Sequence, residues 1–241
     1  MRVKCLLTYD GTRYFGWQKT KTGPSIQETL EIAFKQILQK PIPTEAASRT
    51  DRGVHARGQV VHFDLPLADL PKLQRQLNGV LPHDIRIRSL EEMADTFHST
   101  LDARSKEYHY HLCLDPVQLP MYRLYSWRFH KLLDLDEMAR AAPLLIGTHN
   151  FTSFTSEHEE NPICTISKIE FHPLPHNRLC IALHGNRFLY KMARTLVGTL
   201  VYASCGKLDK ATIPLLLGTD NRPEAGMTAP AHGLFLHQVF Y

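Results

Sequence analysis

The densest chemistry in the chain lies in Ser48-Arg49-Thr50-Asp51-Arg52-Gly53-Val54-His55-Ala56-Arg57-Gly58, where one carboxylate stands among three guanidiniums. A charged loop between two strands is where a rigid scaffold presents reactive groups. A cation beside such an acid lowers its pKa, and guanidiniums also suit phosphate oxygens. A plain turn explains the same residues: Asp51 making an Asx turn, Gly53 supplying a positive φ, the arginines solvated. Spacing within the loop does not decide between the two.

Three further stretches carry groups of interest. Asp10-Gly11-Thr12-Arg13-Tyr14-Phe15-Gly16-Trp17-Gln18-Lys19 mixes aromatics and cations, as a base-stacking surface or a packed Ω-loop would. In Glu107-Tyr108-His109-Tyr110-His111-Leu112 the two tyrosines share one strand face and the two histidines the other. Histidines at i, i+2 can hold a metal, but no third ligand is visible in the sequence, so no metal site is expected. The third runs from Asn186 to Ser204 and reads as one helix with an apolar stripe of Phe188, Leu189, Met192, Leu196, Leu200 and Ala203. Arg187, Lys191 and Arg194 follow at i, i+4, i+7 on another face, which as it stands reads as a solvated basic face. Gly198, one turn beyond Arg194, leaves room for a backbone or a ligand.

Several chemistries lack their signatures. The sequence has no G-x-x-x-x-G-K-[ST], G-x-G-x-x-G, G-x-S-x-G or H-E-x-x-H. Its five cysteines, Cys5, Cys113, Cys164, Cys180 and Cys205, are scattered without a C-x-x-C pair, which fits reduced thiols better than a disulfide frame. The 241 residues are 43% hydrophobic with net charge +4, enough for a large core and a modest lean toward an anionic partner. No signal peptide and no membrane span is expected, and the chain reads as soluble and cytoplasmic.

The positioning elements follow from periodicity. Residues 3–9 and 59–65 read as strands, with a shorter run at 43–47. Ser25-Ile26-Gln27-Glu28 is a capping box opening a helix with Ile26, Leu30, Phe34, Ile37 and Leu38 on one stripe, stopped by Pro41. A second helix spans about 68–80, and Ile85-Arg86-Ile87-Arg88 alternates as a strand. Beyond residue 96 come a strand at 104–114, a helix at 133–146 capped by Asp134, and a hairpin about Pro175-His176-Asn177. The helix from Asn186, a short one at 209–217 and a last strand at 233–241 complete the chain. The first part reads β-α-β-β-α-β, and the second does too once the extra short helix at 209–217 is left out. The expected fold is therefore α+β: two ferredoxin-like split-βαβ halves, 1–95 and 96–241, joined through a common, mostly antiparallel sheet with a central cleft suited to an elongated polyanion.

Ser48-Arg49-Thr50-Asp51-Arg52-Gly53-Val54-His55-Ala56 resembles the R-T-D-x-G-V-H-A signature of the TruA family of tRNA pseudouridine synthases. Tyr9 to Gln18 resembles that family's first motif, and Leu77-Asn78-Gly79-Val80-Leu81-Pro82 its L-N-x-x-L-P. Phe97-His98 through Tyr108, Asn150 to Phe154, Met192 to Gly198 and Ala229 to Leu234 follow in the family's order, so the resemblance covers essentially the whole chain. It implies that Asp51 is the catalytic aspartate, Arg194 its arginine partner, Tyr108 the tyrosine at the target base, and Arg49 a residue handling the flipped nucleotide. It further implies a homodimer that makes pseudouridine at positions 38 to 40 of the tRNA anticodon arm without metal or organic cofactor. Arg13, Arg52, Arg187 and Lys191 are the further candidates to contact RNA. Two positions depart from the usual bacterial pattern: Ser48 replaces Gly, and Arg52 replaces a small residue, as in eukaryotic members that often carry Lys there.

Overall fold

In the first strand, β1 (Arg2–Tyr9), Val3, Cys5, Leu7 and Tyr9 all point into the core while their neighbours are partly exposed, the period-2 pattern the sequence displays. A computed structural model of the chain describes residues 1–218 and 225–241. The strand feeds helix α1 (Ile26–Leu38), whose cap Ser25 accepts a hydrogen bond from the Glu28 N–H and whose end is the left-handed Gln39. Ile26, Leu30 and Phe34 bury one stripe, and Phe34 meets Phe63 edge to face at 4.6 Å. Each such side chain contributes about 1.5–3 kcal/mol.

After the short β2 (Glu45–Ala46) come β3 (His55–Asp64), α2 (Leu70–Val80) and β4 (Ile85–Met93). β1 lies between β4 and β3, antiparallel to both, and β2 pairs antiparallel with β3. Asn78 ties α2 to β4: its Nδ2 donates to the Ile87 carbonyl at 2.9 Å and its Oδ1 accepts the Ile87 N–H at 2.8 Å.

The second part contains β5 (Ser105–Cys113), β6 (Trp127–Arg128), α3 (Leu135–Ala141), β7 (Gly147–Asn150), β8 (Ile163–Leu174), β9 (Arg178–Gly185), α4 (Met192–Ser204) and α5 (Ile213–Leu216). Its strands run in the order β5-β9-β8-β7, antiparallel, with β6 parallel on β5. The final strand is β10 (Leu234–Phe240). The fold is thus mixed α+β with mostly antiparallel strands, as expected. No helix among the described residues is long and apolar enough to cross a membrane.

Three expectations are revised. The helix expected from Asn186 begins only at Met192, because Lys191 takes a left-handed conformation (φ 60°) after a turn closed by the Met192 N–H on the Leu189 carbonyl. Arg187 and Lys191 therefore share no helix face with Arg194. The helix expected over 133–146 is α3 followed by a 3-10 turn over Ala142–Leu145, where Pro143 cannot donate. The charged loop is shorter than it reads, since β3 starts at His55 and includes Arg57 and Gly58.

Two compact units divide the chain: Met1–Arg104 with Phe235–Tyr241, and Ser105–Leu234. The sequence reading set the division at 95/96 and kept the last strand with the second half. The difference arises because β10 pairs in parallel with β3, Phe235 opposite His55 and Leu236 opposite Ala56. Periodicity identifies a strand but carries no signal for a parallel partner so distant in the chain.

Candidate active site

Asp51 sits half-buried at the start of a turn closed by the Val54 N–H on its own carbonyl, 3.1 Å away. Gly53 takes φ 79° at the third position, as a type II turn requires. The approach to the aspartate is braced from below. Thr50 is buried, and its Oγ1 meets the hydroxyl of Tyr9 at 2.7 Å. Gln59, fully buried on β3, acts as an extra rung: its Nε2 donates to the Ser48 carbonyl at 2.6 Å and its Oε1 accepts the Ser48 N–H at 3.3 Å.

The 10–19 segment forms the other wall. Its Trp17 N–H donates to the Thr50 carbonyl at 3.0 Å, and the Tyr14 carbonyl accepts the Gly53 N–H at 3.3 Å. Gly16 has φ 97°, and a Cβ there would stand 2.6 Å from the Thr50 oxygen, so this contact requires glycine. Tyr14 and Trp17 are buried. The hydroxyl of Tyr14 donates to Asp84 at 2.7 Å, and burial, then this bond, pushes its pKa up. Of the two readings of this segment, a packed loop is what forms, and it supports the turn at Asp51. The His55 ring is buried behind the turn, stacked on Phe235 at 4.6 Å, with its Nδ1 3.1 Å from the donating Gly11 N–H.

The cations of this unit face outward. Arg49 and Arg13 are exposed. Arg52 is exposed as well, with its guanidinium 4.0 Å above the Phe15 ring. Arg57 lies over Phe235 at 5.2 Å, so it has a ring partner as well as solvent.

In the second unit, Tyr108 is buried on β5 and meets Phe188 edge to face at 4.9 Å. Arg194, in the first turn of α4, exchanges bonds with Ala229: its Nε donates to the Ala229 carbonyl at 2.7 Å, and the Ala229 N–H donates to the Arg194 carbonyl at 3.1 Å. The next residue, Pro230, accepts from the Tyr110 hydroxyl at 2.8 Å, so the segment matching A-P-A-H-G-L links α4 to β5. Gly198 is required here because a Cβ would run into the carbonyl of Met227. Arg187 donates to the Asn161 carbonyl at 2.7 Å, and Lys191 lies 4.7 Å over the Tyr190 ring.

Lys106, two residues before Tyr108 on the same strand face, has a pKa lowered to about 8, chiefly by burial and then by the Arg187 charge. The folded chain disfavours the ammonium that the unfolded chain keeps up to its ordinary 10.5, so a stability penalty is full below about 8 and fades as pH rises to 10.5. Lys106→Met is expected to raise Tm at neutral pH, with the gain over the parent closing as pH rises across that window. A gain independent of pH contradicts this.

Sequence reasoning missed Gln59, Thr50 and Tyr9 as supports of the turn. The available signal was a glutamine inside an apolar strand, a polar group that cannot be buried without partners. Gln59→Leu is expected to leave Ser48 N–H and C=O unsatisfied, costing about 1–3 kcal/mol. Denaturant unfolding of the variant checks this, and an unchanged midpoint contradicts it.

Comparison with known proteins gives this geometry its context. Residues 6–101 and 141–241 match the family model described as tRNA pseudouridine synthase. The chain is 49% identical, over 99% of its own length and 94% of the relative's, to tRNA pseudouridine synthase A 2 of Protochlamydia amoebophila. It is 39% identical to tRNA pseudouridine synthase A of Bacillus pumilus, covering 100% of this chain and 99% of the relative. The chain belongs to the TruA family of tRNA pseudouridine synthases, isomerases that turn uridine into pseudouridine.

Proposed function

We propose that this chain isomerises uridine at positions 38, 39 and/or 40 of the tRNA anticodon stem-loop, with Asp51 as the catalytic carboxylate. The observation that carries the reading is Asp51 itself, a half-buried acid on a turn held by the buried Thr50 and Gln59, in a chain related to synthases over its full length. The reaction breaks N1–C1′, turns the freed uracil and joins C5 to C1′, with the C5 proton released to water and N1 taking one up. Asp51 either attacks C1′ or assists elimination to a glycal. The target base must first leave the stack.

The remaining roles follow from residue chemistry. Tyr108 offers a ring face to the uracil and a hydroxyl for the C5 proton. Arg194, oriented by its bond to Ala229, is the residue we assign as the arginine partner of the aspartate. Arg49 holds the flipped nucleotide, and Arg13, Arg52, Arg187 and Lys191 hold phosphates, so affinity weakens as salt rises. The strand order of the first unit, β4-β1-β3-β2, supports a ferredoxin-like unit, and we extend that reading to the second. A cytoplasmic homodimer acting without organic cofactor completes the proposal.

The test uses tRNA tritiated at uracil C5, with chelator present. Tritium release lost in Asp51→Ala supports the reading; absence of release from every tRNA sinks it. Arg52→Ala is expected to weaken tRNA binding and lower the salt slope by about 1, leaving the single-turnover rate at saturating enzyme nearly unchanged. A large drop in that rate instead would move Arg52 into the chemistry.

A further inference from the structure

The β5–β9 ladder gathers side chains that the proposed reaction leaves unused. Glu107, His109 and His111 alternate along β5 and project from the side opposite Tyr108 and Tyr110. Directly across on β9, His111 faces Cys180 and His109 faces the small Ala182. Opposed residues of an antiparallel pair share a face, and diagonal neighbours lie within reach of longer side chains. One ligand atom each from His109, His111 and Cys180 therefore falls within 4.8 Å of the other two. His111 and Cys180 are buried, while His109 is partly exposed and borders solvent.

Glu107 Oε1 lies 2.5 Å from His109 Nε2. A carboxylate accepting an Nε2–H fixes the tautomer whose Nδ1 carries the lone pair, the arrangement that orients metal-bound histidines. A second cluster, Glu45 with His62 and His98, shows the contrast. There His62 Nδ1 accepts the Ser99 N–H, and His98 Nδ1 accepts those of Thr100 and Leu101, each at 3.2 Å. Both rings must then carry their proton on Nε2, and His98 directs it at Glu45 from 3.3 Å. In that cluster the Nδ1 atoms of both rings are occupied by backbone N–H donors.

We infer that His109, His111 and Cys180 form a binding site for a zinc-class divalent cation, oriented by Glu107. Two imidazoles and a thiolate suit a borderline cation such as Zn²⁺, whereas Mg²⁺ and Ca²⁺ take oxygen ligands. Zn–N and Zn–S bonds of about 2.0–2.3 Å bring tetrahedral ligand atoms to roughly 3.5 Å, so the site closes by side-chain rotations of about 1 Å. Binding converts the Cys180 thiol to a metal thiolate and releases its proton to solvent. A fourth position remains for water. The cation would pin β5 to β9 and stands apart from uridine chemistry.

The test is a titration of chelator-treated full-length protein with Co²⁺. One cobalt per chain is expected, with a near-ultraviolet thiolate-to-cobalt charge-transfer band and the visible bands of a tetrahedral site, both displaced by Zn²⁺. Cys180→Ser should remove the charge-transfer band, and Glu107→Gln should weaken affinity about 10–100-fold while keeping it. Circular dichroism and pseudouridine formation report whether each variant is folded. No band in the parent protein overturns the inference. So does a band that persists in Cys180→Ser, which would place the cobalt on another cysteine, or an unchanged affinity in Glu107→Gln.

Discussion

Asp51→Ala is expected to lower pseudouridine formation at least about a thousandfold while leaving tRNA affinity roughly unchanged. The asymmetry follows from where the group stands. The carboxylate is half-buried on a turn whose supports are the Gln59 rung, the Thr50–Tyr9 bond and the Tyr14 and Trp17 backbone contacts, none of which uses the Asp51 side chain. Truncating it should remove the oxygen atoms proposed to react while leaving those supports of the turn in place. Affinity is expected to come from cations elsewhere, and deleting one negative charge cannot weaken phosphate attraction. Asp51→Asn, which keeps the shape, should fail as severely, because an amide neither attacks C1′ nor stabilises a cation there. Single-turnover rates alongside filter-binding constants check both variants. Residual rates within tenfold of the parent would remove Asp51 from the reaction.

Gly198→Ala is expected to destabilise the protein by at least about 2 kcal/mol, a Tm loss on the order of 4–8 °C. Alanine in a helix interior would ordinarily gain about 1 kcal/mol over glycine, so two effects compete. The clash wins because the obstacle is backbone. The Met227 carbonyl meets any Cβ at this site, and its flanks are tethered: Gly226 N–H donates to Thr199 Oγ1 at 3.1 Å, and Ala229 N–H donates to the Arg194 carbonyl. Gly79 in α2 has nothing within 4 Å of a Cβ, so Gly79→Ala should gain up to about 1 kcal/mol by the same helix term. Thermal unfolding of the two variants should shift in opposite directions. Equal shifts would mean that helix propensity alone governs both. Because Ala229 also accepts from Arg194, turnover in Gly198→Ala should fall further than its stability loss explains.

Much of this architecture is legible from the chain alone, for local reasons. The helix cap at Ser25 and the alternation in β1 and β5 are written in neighbouring residues, and they form as read. The start of α4 is not legible, because Phe188 and Leu189 continue its apolar period while the backbone reverses at Lys191. The stripe there answers to tertiary packing: Phe188 spends its ring on Tyr108. The aromatics of the 10–19 loop look equally fit for stacking on bases, and only the burial of Tyr14 and Trp17 tells otherwise. Cys180 is invisible as a neighbour of His111 for a related reason, since strand register, not sequence spacing, makes them adjacent.

The return of β10 to the first unit bears on how the protein is made. Synthesis delivers the Asp51 turn long before Phe235, on which His55 stacks. Units ordinarily fold as they are synthesised, N-terminal first. Here the first unit cannot close its sheet until the whole second unit has been made. The floor beneath the turn is thereby withheld until β10 has been made, and the Asp51 loop takes that support from a strand that follows the entire second unit.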